Sequence, residues 1–248
     1  MGQIIAVLPS SGGVGASSLA AALAVRSAAA GRSTAVVDLD PWSGGLDVVF
    51  GIEQEPGWRW DRLTAASGVV DGERLAARLP AVLDLSVLAM PTAGEGVADL
   101  QLEPASWVER VPDVVAGLAE AHAVTVLDAC RDERVLRPVV ALADAIVVVV
   151  GTRTAQLAAA ATLVPTLHTL GADPWAVLRG PGAGELEDVV IDELDVEVVG
   201  SLGEDGKLAG EMADGIPPGH RGRGPLVALA DRLLLRLASL GAELGRSA

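Results

Sequence analysis

A glycine-rich segment near the start of the chain has the composition of a phosphate-binding loop. Residues 9–18 read PSSGGVGASS and lie between an apolar run, Ile4–Leu8, and a long alanine-rich stretch. Glycines allow a loop to curl so that successive backbone N–H groups point inward, and a following helix adds the dipole of its N-terminus. The order of strand, glycine loop and helix is therefore typical of a site for nucleotide phosphates.

The same loop lacks the positive charge that such a site normally contains. In the usual pattern the last glycine is followed by a lysine, which binds the β/γ-phosphates, and then by a Ser or Thr, which binds Mg²⁺. Ala16 stands at the lysine position, whereas Ser17 keeps the hydroxyl group. A charge-assisted hydrogen bond contributes about 1.5–3 kcal/mol, so we expect nucleotide affinity to fall by roughly one to two decades. The rate of any hydrolysis should fall further, by a factor on the order of 10²–10³.

Two explanations of the missing lysine stay open. The chain has one lysine and seventeen arginines, which indicates a coding bias, but such a bias does not replace a phosphate-binding lysine by alanine. Either the site has diverged in function, or an arginine from elsewhere supplies the cation. Three arginines that follow one predicted strand are candidates: Arg131, Arg134 and Arg137. Asp132 and Glu133 lie beside them in the sequence, so surface ion pairs are the simpler expectation.

Aspartates follow two of the predicted strands. Asp38 and Asp40 come after the apolar run Thr34–Val37, and Asp128 comes after Val124–Leu127. The carboxyl ends of parallel strands face the ligand crevice of an open α/β sheet, so we expect these side chains to lie beside the glycine loop. A solvated turn capped by aspartate, or an ordinary aspartate at a strand end, is the alternative.

Short apolar runs alternate with Ala- and Leu-rich stretches along the whole chain. Continuous apolar runs are typical of strands that are buried on both faces of a parallel sheet. Seven runs are predicted strands: Ile4–Leu8, Thr34–Val37, Leu85–Ala89, Val124–Leu127, Ala145–Val150, Trp175–Leu178 and Glu197–Val199. Six stretches are predicted helices: Ser17–Ala30, Gly72–Leu79, Ala105–Ala121, Glu133–Leu142, Thr154–Leu170 and Pro225–Leu240. The alternation predicts one α/β domain over 1–248, a doubly wound and mostly parallel sheet with helices on both faces.

The composition bears on partners and on location. The formal net charge of −15 disfavours binding to a phosphate backbone, so no nucleic acid partner is expected. A single cysteine, Cys130, excludes an internal disulfide. The sequence has neither a secretion leader nor a run of 18 apolar residues, so we expect a cytoplasmic protein whose association with membrane is indirect or weak.

These motifs together resemble the MinD/ParA group of P-loop ATPases. The group has a deviant loop, KGGVGKTT, and Ser11–Ser18 matches it with serine and alanine in place of the two lysines. The segment that begins at Asp38 resembles the second motif of the group, and Asp128 stands at the Walker B position. In the group the first lysine reaches across a nucleotide-sandwiched dimer. The resemblance therefore implies ATP or ADP with Mg²⁺ as cofactor, and a homodimer as a candidate assembly.

The resemblance also implies roles for individual residues. The cofactor-binding residues would be Gly12, Gly13, Val14, Gly15, Ala16, Ser17, Ser18 and Arg179. Arg179 follows the sixth predicted strand, where the family often has an asparagine that reads adenine. The Mg²⁺ residues would be Ser17, Asp38 and Asp128, and Asp40 would orient the attacking water in an active enzyme.

A narrower resemblance covers nearly the full length. Residues 38–47, 51–60 and 217–226 are similar to actinobacterial CpaE-like proteins, which include the septum-site-determining (Ssd) group and are related to TadZ. It implies a positioning or regulatory protein of a Tad/Flp pilus-secretion apparatus or of septum placement, which binds protein partners of that machine and hydrolyses ATP weakly or not at all. A Mg-ATPase with a substitute arginine is the alternative. Many such relatives carry an N-terminal receiver-like domain, and none is expected here because the glycine loop starts at residue 9.

Three further features are expected to be structural. Trp58 and Trp60 should pack beneath a glycine-flanked loop, and the basic run His220–Arg223 should be a solvated loop. The last predicted helix carries leucines at helical spacing with few basic residues, so we expect it to pack on the core rather than on a membrane.

Overall fold

The computed structural model describes residues 1–64, 68–91 and 104–244. Within these ranges eight strands form one sheet: β1 (Gln3–Pro9), β2 (Thr34–Leu39), β3 (Ala81–Val82), β4 (Leu85–Leu88), β5 (Val124–Ala129), β6 (Ala145–Gly151), β7 (Trp175–Arg179) and β8 (Glu197–Leu202). Their spatial order is β3-β4-β2-β5-β1-β6-β7-β8. The pairing of β3 with β4 is antiparallel, and the other pairings are parallel. The predicted doubly wound, mostly parallel α/β sheet is confirmed.

Helices cover both faces of this sheet. They are α1 (Ala16–Ala29), α2 (Gly45–Phe50), α3 (Gly72–Ala76), α4 (Pro104–Val108), α5 (Val111–Ala121), α6 (Glu133–Leu142), α7 (Thr154–Thr169), α8 (Glu187–Leu194), α9 (Leu208–Ala213) and α10 (Pro225–Leu244). None of the helices in the described ranges combines the length and the apolar character that crossing a bilayer requires.

The central strand β1 shows why the sheet is buried on both sides. Ile4, Ala6 and Leu8 point into a core that is shared with α5, α6 and α7. Ile5 and Val7 point into a second core, which is shared with α1, α2 and α10. A strand between two helical layers has no solvated face, and this explains its continuous apolar sequence.

The structure differs from the predicted elements at several places. The predicted helix Ala105–Ala121 is divided into α4 and α5, because Pro112 lies in the first turn of α5, where proline is tolerated but cannot continue a preceding helix. No predicted strand or helix lies in the segments 42–67 and 91–103. The structure has α2 in the first segment, and the second lies outside the described residues apart from Pro91. The elements α8, α9 and β3 were not predicted either.

Two of the predicted strands continue beyond their apolar runs. β2 extends to Leu39 and β5 extends to Ala129, so Asp38 and Asp128 lie inside the strands and not after them. Both aspartates are buried. A strand predicted from a run of apolar residues ends at the first charged residue, even where the strand continues through that residue and the sheet buries it.

Candidate functional site

The loop between β1 and α1 is open to solvent on one side. Gly13 and Gly15 have φ values of 74° and 86°, a left-handed conformation that glycine adopts without the steric cost of a Cβ atom. A Cβ atom placed on Gly12 or Gly13 would meet no heavy atom within 4 Å. Val14 is buried in the core and holds the loop against it. The backbone of Gly12 and Gly13 can therefore be approached closely by a ligand.

The first turn of α1 is left without a side-chain cap. Gly15 is the N-cap residue, and the first turn contains no acidic residue. The first hydrogen bond of the helix runs from the Leu19 N–H to the Gly15 carbonyl, so the N–H groups of the preceding residues have no partner within the helix. Unpaired N–H groups and the positive end of the helix dipole together favour an anion at this position.

Ser17 and Asp128 are brought together at the start of α1. The Ser17 hydroxyl donates a hydrogen bond to the Asp128 carboxylate, which is 3% exposed at the end of β5. Burial raises the pKa of Asp128 well above its ordinary value, and the nearby charge of Asp38 raises it further. The hydrogen bond from Ser17 acts in the opposite direction but does not compensate.

Asp38 is fully buried and accepts hydrogen bonds from the backbone. Its Oδ1 accepts from the Asp40 N–H at 3.0 Å, and its Oδ2 accepts from the Leu46 N–H at 2.9 Å and from the Met90 N–H at 3.4 Å. Burial raises the pKa of Asp38 to about 7, although these hydrogen bonds lower it. Asp38 therefore links the turn after β2, the start of α2 and the residue Met90, and it also lies in the candidate site.

The predicted Mg²⁺ residues fit a metal ion to different degrees. Asp38 and Asp128 are directly opposite each other in the β2–β5 pairing, and Ser17 is bonded to Asp128. In the described residues no group of three or more His, Cys, Asp or Glu side chains is arranged to hold a metal ion. Mg²⁺ usually takes only one or two carboxylates together with water and phosphate oxygens, and Ser17 with Asp128 fits this pattern. Asp38 already accepts three backbone N–H groups, so its part in a metal shell stays a prediction.

Asp40 lies in a turn at the mouth of the site. Its Oδ1 accepts a hydrogen bond from the Trp42 N–H at 3.0 Å, and the Trp42 side chain is 65% exposed. A cavity of about 260 Å³ opens here and is lined by Pro9, Gly12, Asp40, Trp42, Cys130, Arg131 and Asp132. Sequence reasoning missed Trp42, although its position two residues after Asp40 was a usable signal.

The arginines near the site fall into two groups. Arg134 and Arg137 form the expected ion pairs with Asp132 and Glu133. Arg131 instead donates from Nη1 to the Ser10 carbonyl, at the beginning of the glycine loop, over 3.1 Å. At the other end of the loop, a Cβ atom on Gly15 would lie 3.4 Å from Nη1 of Arg179. One guanidinium group therefore lies at each end of the loop.

The segment that follows Asp40 is held by buried contacts. Arg59 Nε forms an ion pair with Asp47 Oδ2 at 2.9 Å, and both residues are buried. The Trp60 indole N–H donates to the Asp38 carbonyl at 2.6 Å, and its ring lies 5.4 Å from that of Trp107. Trp60 thus packs beneath the loop, as predicted, and it also fixes the end of β2.

Two other features expected to be structural are so in this structure. In the basic run His220–Arg223, the exposed Arg221 forms an ion pair with Glu211. Leu229, Leu233 and Leu237 of α10 are buried against the core.

Solved structures of the same fold are numerous, and three illustrate the similarity. A ParA family ATPase from Chlorobium tepidum TLS has a TM-score of 0.77 at 16% identity and covers 94% of this chain and 99% of its own. The septum site-determining protein MinD of Pyrococcus horikoshii OT3, complexed with Mg-ADP, has a TM-score of 0.77 at 18% identity and covers 97% and 98%. The MinC:MinD complex of Aquifex aeolicus has a TM-score of 0.69 at 18% identity and covers 94% and 96%. The chain therefore has the MinD/ParA-like P-loop fold.

Similarity in sequence is found to two uncharacterized proteins of Mycobacterium tuberculosis. MT3760 of strain CDC 1551 and Rv3660c of strain H37Rv are each 33% identical to the chain over 221 residues, which is 86% of this chain. The chain spans 58% of the length of these relatives. No protein-family profile matches the chain.

Proposed function

We propose that this chain is a positioning or regulatory protein of the MinD/ParA type, which binds Mg-ATP or Mg-ADP weakly and hydrolyses ATP slowly or not at all. One observation carries the proposal. The glycine loop keeps an open face and an uncapped helix start, while Ser11 and Ala16 occupy the two lysine positions of the group that it resembles.

The remaining parts of the site can bind a phosphate through neutral groups. The backbone N–H groups at the start of α1 would hold the phosphates, and their alignment with the helix dipole favours this. Ser17 and Asp128 would hold Mg²⁺, which when bound would neutralise phosphate charge. Without the loop lysine, about 1.5–3 kcal/mol of charge-assisted binding is missing, so the site would be occupied only at high nucleotide concentration.

Asp40 would be the water-orienting residue if any hydrolysis occurs. Its side chain is held by the Trp42 N–H and lines the open cavity beside Gly12, in contrast to the buried Asp38. A carboxylate in this position can accept a hydrogen bond from a water molecule. A carboxylate cannot stabilise the negative charge that develops on the phosphates. A loop lysine would normally do this, and the loop has none.

The cellular role that we propose is that of the CpaE-like, septum-site-determining and TadZ proteins. The chain would act in the cytoplasm, recruited to membrane, pole or septum by protein partners of a Tad/Flp pilus-secretion apparatus or of the division machine, as a monomer or a homodimer. The resemblance of residues 38–47, 51–60 and 217–226 supports this. A fluorescent fusion in the native host should form foci at a pole or septum, and a uniformly diffuse signal would contradict a positioning role.

Calorimetric titration tests the nucleotide part of the proposal. Mg-ADP and Mg-ATP are titrated into the wild type and into Ala16→Lys, and phosphate release is measured in parallel. The restored lysine should raise affinity by about 10- to 100-fold. Val69→Lys is the matched control, because it adds the same charge at a residue that is 95% exposed and outside the site. ATP hydrolysis by the wild type at ordinary enzymatic rates, about 1–10³ s⁻¹, would contradict the proposal.

A working Mg-ATPase with a substitute arginine is the second candidate. Its support is the position of Arg131, which lines the same cavity as Asp40. On this alternative the wild type releases phosphate at an ordinary rate, and both Arg131→Ala and Asp40→Ala abolish the release. Retention of activity in both variants would exclude it.

A further inference from the structure

We infer that Arg131 supplies a cation beside the lysine-free loop and binds the terminal phosphate of a nucleoside triphosphate. The inference rests on the proposed function, because it specifies which group of the same site contacts the ligand. Arg131 is exposed and is the second residue after β5. Its Nη1 contacts the glycine loop by donating a hydrogen bond to the Ser10 carbonyl at 3.1 Å. Its guanidinium group is therefore positioned at the loop although it comes from a distant part of the chain.

Arg131 has donors left for a ligand. A guanidinium group has five N–H donors, and the hydrogen bond to Ser10 uses one on Nη1. Within the described ranges Arg131 forms no ion pair, whereas Arg134 and Arg137 are paired with carboxylates. Arginine can bind a phosphate through two parallel N–H groups, and a partly used guanidinium keeps this capacity.

The backbone on both sides of Arg131 is fixed. It is preceded by β5, and Asp132 caps α6 by accepting a hydrogen bond from the Arg134 N–H at 2.9 Å. Arg131 thus occupies a short connection between a central strand and a capped helix. A cation held in this way loses less conformational entropy on binding than one on a free loop.

The carboxylates that line the cavity repel an anion unless a cation offsets their charge. Asp40 and Asp132 line the same cavity as Arg131. Asp132 is neutralised by its ion pair with Arg134, which holds the pKa of Asp132 below its ordinary value. Asp40 has no such partner in the described residues, so a phosphate beside it would be repelled unless Arg131 offsets the charge.

The position of the cavity selects the terminal phosphate. The two ends of the glycine loop differ: Gly15 and Arg179 mark the start of α1, whereas Gly12, Asp40 and Arg131 mark the other end. The phosphates shared by a diphosphate and a triphosphate would lie at the helix start. The additional phosphate of a triphosphate would extend toward the cavity and Arg131, which would therefore distinguish ATP from ADP.

The test uses Trp42, which lines the same cavity and is 65% exposed, as a local reporter. Mg-ATP and Mg-ADP are titrated into the wild type, Arg131→Ala, Arg131→Gln and Arg137→Ala, with tryptophan fluorescence and calorimetry as readouts. Arg131→Ala should weaken ATP binding by about 10-fold or more and ADP binding by less than about 3-fold. Arg137→Ala is the matched control, because Arg137 is paired with Glu133 and neither residue lines this cavity, and it should bind both nucleotides as the wild type does.

Arg131→Gln guards against a purely structural effect. Glutamine can still donate to the Ser10 carbonyl but has no charge, so it should lose the preference for ATP as alanine does. If Arg131→Ala and Arg131→Gln bind ATP as tightly as the wild type, Arg131 is not the phosphate ligand, and the proposed function is unaffected. If the wild type binds neither nucleotide, both proposals fall.

Discussion

The two halves of the candidate site are built in opposite ways. Asp38 and Asp128 are buried at neighbouring positions of two central strands, and Asp38 accepts three backbone hydrogen bonds. Across the site, the loop glycines Gly12 and Gly13 face empty space, and no lysine accompanies them. The acidic half is therefore part of the folded framework, while the glycine loop contributes backbone shape and no charge of its own.

The contrast between buried carboxylates and an open loop explains how such a site can have its carboxylates without a loop lysine. Ala16 is buried in the core that includes α1, and Ser11 is half-buried, so the loop keeps its place in the framework without a lysine at either position. Asp38 cannot be replaced at the same cost, because it accepts hydrogen bonds from the N–H groups of Asp40 after β2, of Leu46 in the first turn of α2 and of Met90 after β4. Persistence of Asp38 is thus no evidence for catalysis, whereas an open glycine loop is evidence for a ligand.

The largest expected effect comes from removing Asp38. Asp38→Ala leaves two buried N–H groups and the part-buried N–H of Asp40 without an acceptor. The two buried groups cost about 1–3 kcal/mol each, so we expect a loss of about 2–6 kcal/mol in the free energy of unfolding. Urea denaturation of the protein without nucleotide measures it. Asp40→Ala, in the half-buried turn, should cost less than about 1 kcal/mol. Equal losses in the two variants would remove the contrast between the halves.

A pH dependence should follow from the buried carboxylates. The pKa of Asp38 is about 7 in the folded chain against an ordinary value of 3.8, so between these values the folded state binds more protons than the unfolded state. Stability therefore falls as pH rises through this window and stays lower above it, by at most about 4 kcal/mol for this group.

Urea denaturation without Mg²⁺ at pH 5, 6, 7 and 8 checks this dependence. Asp128→Asn is the informative comparison, because it removes a second carboxylate whose pKa is raised by burial and by the nearby charge of Asp38. The variant should lose less stability between pH 5 and pH 8 than the wild type does. A wild-type stability that rises across this range would show that the carboxylates are not buried as described.

The smallest effect concerns the loop itself. Gly15→Ala places a Cβ atom at φ 86° and should cost about 1–2 kcal/mol of stability. Gly12→Ala adds the same methyl group where no heavy atom lies within 4 Å and φ is not positive, so its cost should be below about 0.5 kcal/mol. Thermal denaturation of both variants measures the difference. If Gly12→Ala is the more destabilising, the loop is not open as the structure has it.

Much of the fold followed from local pattern, and the exceptions have physical causes. The long buried strands and the helices α1, α6, α7 and α10 have continuous or periodic apolar sequences that indicate their type. The short helices α2, α8 and α9 have six to eight residues, which is too few for a period to be recognised, and tertiary contacts stabilise them. Pro112 lies within the predicted helix 105–121, and its position in the first turn of α5 is the local signal for the boundary between α4 and α5.

The sequence by itself determined the chemistry that this protein can have. The glycine loop without a lysine, Ser17 and the three aspartates are facts of residue type and order, and they predict a phosphate site of reduced charge. Only the tertiary structure decided how those groups divide the work. It buried Asp38 among backbone N–H groups and placed Arg131 against Ser10, more than a hundred residues away in the chain. Burial and long-range proximity arise from the packing of the whole sheet, and no local stretch of sequence contains that information.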